Sequence, residues 1–348
     1  MLDALRLVAP GTPLRDGIDR ILQARMGALI VVGDGPDVLG ICSGGFLLDA
    51  EFTPQRLSEL AKMDGAIILA ADSSRVARAN VHLVPDPDIP TSETGTRHRT
   101  AERVARQIDV PVLTVSEDMS VVAIHRAGGK RTLAPIPRVV ARAEQALQIL
   151  ERYKRRLDTV NQSLSALEVE DLVTVRDVVA VLQRAEMVRR IAAEIEDYIV
   201  ELGADGRLVQ LQLEELFHGV EAELRLVAQD YFVASADWDL EKVTAVLADL
   251  DTEELLDAAA VAEVLHLAAD VDLESSLQPH GYRLLSKIPR LPEGVAEKVV
   301  DRFSNLQKLM RASVSDLVEV DAVGETRARA IKDGLSRLAE SSILERYA

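Results

Sequence analysis

Two short stretches of this 348-residue chain carry residue types able to do chemistry on a phosphate. The first is Thr94-Gly95-Thr96-Arg97-His98-Arg99-Thr100. It stands directly before residues 97–107, which are helical in composition with Ala101, Val104, Ala105 and Ile108 on one side. The exposed amides and the dipole of a helix start attract an anion. Two arginines can fork onto phosphate oxygens, and threonine and histidine side chains add donors. The plain alternative is a capped, solvated helix start. The second stretch is Met63-Asp64-Gly65-Ala66, a carboxylate just ahead of an apolar run at residues 66–71. A carboxylate so placed can hold a cation or activate a hydroxyl. It is also the Asp-Gly chemistry of an ordinary turn that ends a helix.

Other polar clusters carry less. Gly33-Asp34-Gly35 with Gly40 makes no dinucleotide fingerprint, because no helix is expected to follow at the right place. Gly128-Gly129-Lys130 lacks the leading glycine and trailing hydroxyl of a phosphate loop. Ser43-Gly44-Gly45-Phe46 fits either a close backbone approach to a ligand or a tight turn. The six histidines show no metal-ligand spacing. The single cysteine, Cys42, reads as core, and it excludes an internal disulfide and any multi-cysteine metal site. Near the end, residues 318–331 (VEVDAVGETRARAI) have the form of a helix, a tight turn and a second helix. Such a turn can aim backbone N–H groups at a DNA phosphate, with Arg327, Arg329 and Lys332 close by. A plain helical hairpin is the competing reading.

The elements that must position these residues fall into three regions. Residues 1–137 read as mixed α/β. Buried strands are expected at 27–33, 66–71, 81–84, 112–115 and 121–124, and a returning strand at 38–42. Thr53-Pro54 has the form of a helix cap followed by Pro at the first helical position. Gly128-Gly129 marks a hairpin. Residues 138–202 contain neither Pro nor Gly. There Leu150, Tyr153, Leu157, Val160, Leu164 and Leu167 alternate spacings of three and four, a seam that suits a helix in a bundle or a contact between chains. Residues 201–280 continue helical. Beyond Pro289 and Pro292, short helices are expected at 295–303, 306–311, 314–318 and 326–338. No long-period repeat stands out.

Composition narrows the classes. The net charge of −17, with 57 Asp+Glu against 40 Lys+Arg, argues against a chain that wraps nucleic acid along its whole length. Aromatics at 3% argue against a base-stacking platform. The acidity is local, however. Residues 201–280 hold 19 acids and 3 bases, whereas residues 281–348 hold 10 acids and 12 bases. The end of the chain can therefore approach phosphates, and the acidic stretch reads as a spacer. No run of 18 apolar residues suggests a membrane span, and the start of the chain has no signal-peptide form. A cytoplasmic location is expected.

Residues 78–106 (RANVHLVPDPDIPTSETGTRHRTAERVAR), with Asp64-Gly65-Ala66 upstream, resemble the diadenylate cyclase family. The order of regions is similar to its DNA-scanning members. The resemblance implies an α/β cyclase domain at 1–137 with a mixed β-sheet flanked by helices. An all-α spine at 138–285 and a helix-hairpin-helix DNA-binding domain at 286–348 would follow. It implies condensation of two ATP into cyclic di-AMP and two pyrophosphates with Mg²⁺ or Mn²⁺, in a homo-octamer that also meets branched or damaged DNA. By the same resemblance, Asp64 binds the metal and helps activate the 3′-hydroxyl, and Gly65 and Ala66 lie against the nucleotide. The backbone of Leu83 reads adenine. Thr96, Arg97, His98, Arg99 and Thr100 hold the triphosphate, joined by Ser116; Arg97, His98 and Arg99 are catalytic with Asp64. Val323, Gly324, Arg327, Arg329 and Lys332 meet DNA. The family's hairpin turn is Gly-hydrophobic-Gly. Here Ala322 stands at its first position, which suits alanine only at negative φ. In the other hairpin, Pro292 offers no N–H. Two alternatives follow: a nucleotide-responsive DNA-binding scaffold with little catalysis, and an active cyclase whose last domain is an assembly module.

Overall fold

The computed structural model describes residues 1–117, 121–233, 239–267 and 272–347. The chain divides into two compact units, Met1–Gln145 with Ile195–Leu211, and Ala146–Glu194 with Gln212–Ala348.

The first unit opens with α1 (Leu2–Leu7), α2 (Pro13–Gln23) and β1 (Ala28–Val32). Next come α3 (Pro36–Gly40), β2 (Cys42–Ser43), β3 (Phe46–Glu51) and α4 (Pro54–Leu60). It continues through β4 (Ala66–Leu69), β5 (Arg75–Leu83), α5 (Thr96–Gln107), β6 (Val112–Val115), β7 (Val122–Arg126) and β8 (Gly129–Thr132). The strands form one eight-stranded sheet in the order β2-β5-β4-β1-β6-β7-β8, with β3 also on β5. β1 and β4 run parallel and the other pairings are antiparallel, so the sheet is mixed.

Every residue of β1 and β4 is buried, as continuous apolar runs require when both faces are covered. Ile30, Ile67, Leu69, Leu113 and Ile124 pack one face against α1, α2 and α4. Leu29, Val31, Ile68 and Val81 pack the other against Ala101, Val104 and Ala105 of α5. Thr53 caps α4 through its hydroxyl, which accepts from the Arg56 amide at 3.2 Å, with Pro54 at the first helical position. The β7–β8 turn places Ala127 and Gly128 at φ 48° and 76°, the twist that a two-residue hairpin needs.

The strand expected at 38–42 is replaced by α3. Gly35 is extended and Pro36 follows at the first helical position, a helix start that outweighs the β-like apolar pattern. Only Cys42 and Ser43 remain as strand. The Gly44-Gly45 turn is a chain reversal at φ 65° and 79°; a side chain on Gly45 would strike the Ala79 carbonyl oxygen, 2.7 Å away.

From here α6 (Ile136–Glu170) and α7 (Val175–Leu202) run long. They are separated by Asp171 at φ 59° and by Thr174, whose N–H and hydroxyl both donate to Asp177. Leu150, Leu157 and Leu164 are 0–1% exposed. These three leucines pack inside the chain, while Tyr153, Val160 and Leu167 stay partly exposed.

α8 (Arg207–Phe217) begins in the first unit and ends in the second, which continues with α9 (Val220–Tyr231), α10 (Leu240–Asp249), α11 (Thr252–Leu256) and α12 (Ala258–Val264). Parts of the helical expectation for 201–280 lie outside the described residues. The chain ends in α13 (Tyr282–Ser286), α14 (Glu293–Phe303), α15 (Leu306–Arg311), α16 (Val314–Val318) and α17 (Glu325–Tyr347).

This last region holds a repeat that sequence inspection misses. Backbone hydrogen bonds recur at an offset of 32 residues: Leu285 to Gly281 and Leu317 to Ser313, Leu291 to Ile288 and Val323 to Val320, Ala296 to Pro292 and Ala328 to Gly324. α13–α14 and α16–α17 are thus two copies of one helical hairpin, sharing a core of Leu285, Val299, Leu317, Ile331 and neighbours.

The hairpins are pinned to the long helix α6 by a buried ionic network. Arg283, 1% exposed, donates to Glu168 at 2.5 Å and to Glu223 at 2.9 Å. Asp230, fully buried, accepts from the amides of Gly281, Tyr282 and Arg283 at 2.7–2.8 Å and so caps α13 from another helix. Tyr231 donates to Glu168 at 2.7 Å.

Candidate nucleotide site and hairpin groove

At the end of the sheet where β1 and β4 begin and β5 and β6 finish, a pocket of about 550 Å³ opens. A pocket of that size suits a nucleotide. Its wall includes Asp64, Gly65 and Ala66, Leu83, Thr96, Arg97, His98 and Thr100, and Ser116. The two motifs, thirty residues apart in sequence, therefore share one cavity. Leu29, His82 and Glu117 also line it, and nothing in their sequence context marks them. Arg99 does not line it. It is exposed on α5: at about 100° per residue Thr96, Thr100, Arg97 and His98 cover one arc of the helix, and Arg99 falls outside it.

Gly95, at φ 83°, starts α5 without a side-chain cap. The first-turn amides of a twelve-residue helix are thus presented at the pocket. Glu102, 7% exposed, holds the approach to that turn. Its carboxylate accepts from the Thr91 hydroxyl at 2.5 Å, the Ser92 amide at 3.0 Å and Arg106 at 2.7 Å. Burial alone would raise its pKa, but these donors outweigh burial and hold it below the ordinary carboxylate value. Sequence inspection missed Glu102, since an acid on a helix face reads as solvated.

Asp64 is 95% exposed and accepts from Arg97 at 2.9 Å. A β-carbon on Gly27 would lie 2.0 Å from the Arg97 guanidinium, so glycine at 27 is what gives Arg97 its place. Gly65 likewise has a reason inside the fold. A β-carbon there would come within 2.5 Å of the Asn80 backbone, where β5 bulges and Asn80 sits at φ 55°. Leu83 pairs with Cys42 across β2–β5.

His98 stands between solvent and core. Its Nδ1 lies 3.1 Å from the buried Thr114 hydroxyl, and burial lowers its pKa, with Glu93 opposing and Lys130 and Arg97 adding. Behind it, His125 is 1% exposed with no hydrogen-bond partner on either ring nitrogen, and burial depresses its pKa to about 4. Both rings are neutral at pH 7. Among the described residues no group of three His, Cys, Asp or Glu side chains is placed to hold a metal ion. One open carboxylate fits Mg²⁺ or Mn²⁺ all the same, because such a cation keeps waters and takes its remaining ligands from substrate phosphates.

In the second unit a groove of about 530 Å³ runs between the two hairpin turns, lined by Arg290, Leu291, Gly324, Thr326 and Arg327 among others. Ala322 has φ 67°, so the negative φ that would suit alanine is not met, and the left-handed turn is kept without its glycine. Arg327 donates to the Ala322 carbonyl. The Val323 side chain is 4% exposed and its N–H goes to Val320 at 3.0 Å. Arg329 pairs with Glu325 on the exposed helix face. The Lys332 ammonium donates to the Met310 and Ala312 carbonyls at 2.8 Å each and closes the end of α15.

A mixed α/β pocket unit and a doubled helical hairpin define a pocket protein with a hairpin module, and comparison with known families matches three successive segments. Residues 15–130 match the family described as DisA bacterial checkpoint controller nucleotide-binding. Residues 133–274 match the DisA bacterial checkpoint controller linker region, and residues 284–343 the helix-hairpin-helix motif. The chain is 57% identical to the DNA integrity scanning protein DisA of Parafrankia sp. over 99% of its length and 96% of that protein's. It is 56% identical to the protein of the same name from Frankia alni, with the same coverage. For the Acidothermus cellulolyticus protein the identity is 56%, over 99% of this chain and 94% of that one. This chain belongs to the DNA integrity scanning protein DisA family.

Proposed function

We propose that the first unit is a diadenylate cyclase that condenses two ATP into cyclic di-AMP and two pyrophosphates, in the cytoplasm, and that the hairpins couple it to DNA structure. The observation that carries this reading is one pocket shared by Asp64 and the Thr96–His98 start of α5.

The reaction sets a 3′-oxygen in line with an α-phosphorus and expels pyrophosphate, so it asks for positioning and charge neutralisation. Thr96 and Thr100 and the open amides of α5 receive phosphate oxygens. Arg97 leaves Asp64 to fork onto the triphosphate, which frees the carboxylate for the nucleophile side. Neutral His98, engaged at Nδ1 with Thr114, keeps Nε2 for a phosphate oxygen. Gly65, Ala66, Leu83 and Ser116 bound the rest of the nucleotide. Mg²⁺ or Mn²⁺, held by Asp64 when bound, would neutralise phosphate charge and acidify the hydroxyl.

Each ATP is once nucleophile and once electrophile, so two pockets must face one another. Assembly is then part of catalysis, and an octamer is the form the family resemblance implies. Among the described residues no helix is long and apolar enough to cross a membrane.

Incubation with ATP and Mg²⁺ followed by nucleotide chromatography tests the reading. Wild-type protein should yield cyclic di-AMP and Asp64→Asn should yield none. Product from Asp64→Asn removes its assigned role, and a wild-type protein without product favours a nucleotide-responsive scaffold. A second reading, an active cyclase with hairpins that only assemble, has two observations behind it: Ala322 at positive φ, and Pro292 where a donor is needed. Salt-dependent binding to a four-way junction separates the two, since phosphate contacts weaken as salt rises.

A further inference from the structure

The two hairpins share a backbone and differ in chemistry. By the 32-residue offset, Arg290 of the first corresponds to Ala322 of the second, and Pro292 to Gly324. Arg290 and Ala322 hold φ of 63° and 67°, so both turns have the same left-handed shape. Gly324 brings an N–H to its turn. Pro292, at the start of α14, has none. The first turn is one backbone donor short.

What it has instead is a cation. Arg290 and Arg327 are the two basic side chains lining the groove. Most cations nearby are already committed: Lys298 to Asp321 at 2.5 Å, Arg302 to Glu319 at 3.0 Å, Arg327 to the Ala322 carbonyl, and Lys332 to two carbonyls. Arg329 holds Glu325, which neutralises the carboxylate that lines the groove. Exposed Arg290 has no hydrogen-bond or ion-pair partner among the described residues. A guanidinium left unpaired while the adjoining carboxylate is neutralised is placed for an anion, and its planar fork suits phosphate oxygens.

We propose that Arg290 is the first hairpin's contact to a DNA backbone phosphate, standing in for the amide that Pro292 removes. The groove then grips two phosphates by unlike means. The second hairpin offers the amides at the start of α17 with the Arg327 donors not spent on the Ala322 carbonyl, and the first offers the Arg290 side chain. This inference rests on the DNA-binding reading above.

The test uses the full-length chain and a fluorescent four-way junction, with anisotropy followed across a series of KCl concentrations. Arg290→Ala should weaken binding about tenfold and lower the salt slope by about 0.9, the signature of one lost phosphate contact. Arg290→Lys should restore the slope, because the charge is kept. Arg155→Ala, at an exposed helix face, should change neither. If Arg290→Ala keeps wild-type affinity or wild-type slope while Arg327→Ala weakens binding, this proposal falls and the DNA-binding reading stands. Wild-type protein that ignores the junction at low salt overturns both.

Discussion

Charged side chains have opposite fates in the two units. Asp64 and Arg97 pair at the mouth of the pocket with 95% and 38% of their side chains exposed. Such a pair is worth little to stability, and its members can change partners at small cost. Arg283 and Glu168 pair with 1% exposure each, backed by Glu223, Tyr231 and the α13 cap from Asp230. Those groups cannot exchange partners without stranding a charge in the core. The same residue types make a reactive surface where water reaches them and a rigid joint where it does not. One prediction follows for each side of the contrast, in opposite directions.

Asp64→Asn should remove cyclic di-AMP formation by about a thousandfold or more, about 4 kcal/mol in the barrier. Its urea-unfolding midpoint should match wild type within about 0.5 kcal/mol, as an exposed site allows. Loss of stability alongside activity would mean that the ion pair is structural. Arg283→Ala should show the reverse, destabilising the second unit by about 3–5 kcal/mol through the unpaired carboxylates. Urea unfolding followed by hydrogen exchange on α13 would detect it. A variant as stable as wild type would show that the buried network is not the joint described.

His125 sharpens the contrast, because it is a buried titratable ring on the pocket side with no partner. Its folded pKa is about 4 against an ordinary value near 6.5. The folded state therefore binds fewer protons than the unfolded chain at acid pH. The stability this group contributes is complete above pH 6.5 and is lost as pH falls toward 4. The loss approaches about 3 kcal/mol. His125→Leu should flatten the fall in Tm between pH 7 and pH 4.5. An equally steep fall in the variant would assign the acid sensitivity to other groups.

Much of this was readable from residue order. The strand at 66–69, helix α5 and the helices at 306–311 and 314–318 follow from apolar period and turn residues alone. The pairing of Asp64 with the Thr94–Thr100 stretch came with the family resemblance, since each motif alone also fits an ordinary turn or a capped helix start. What stayed hidden depended on contacts distant in sequence. The Leu150–Leu167 seam has the same spacing whether it meets its own chain or another. Glu102 looks solvated until the loop at 91–93 folds onto it. Arg99 looks equal to Arg97 until the helix turns it away. The hairpin repeat escaped notice because three of the four turn glycines are replaced, by Arg290, Pro292 and Ala322, while the backbone kept its shape.

That replacement supplies the smallest test. An L-residue held at φ near 65° costs about 1 kcal/mol relative to glycine, partly offset by glycine's greater freedom in the unfolded chain. Ala322→Gly should therefore raise the stability of the second unit by a few tenths of a kcal/mol to about 1 kcal/mol, read as a small rise in urea midpoint. It should also leave the salt slope of junction binding unchanged, since it alters no charge and no donor. Arg290→Gly relieves the same kind of turn and removes a cation at once, so it should gain similar stability and lose slope. If both glycine variants behaved alike toward DNA, the two hairpins would be chemical equals, and the asymmetry read from Pro292 and Gly324 would carry no function.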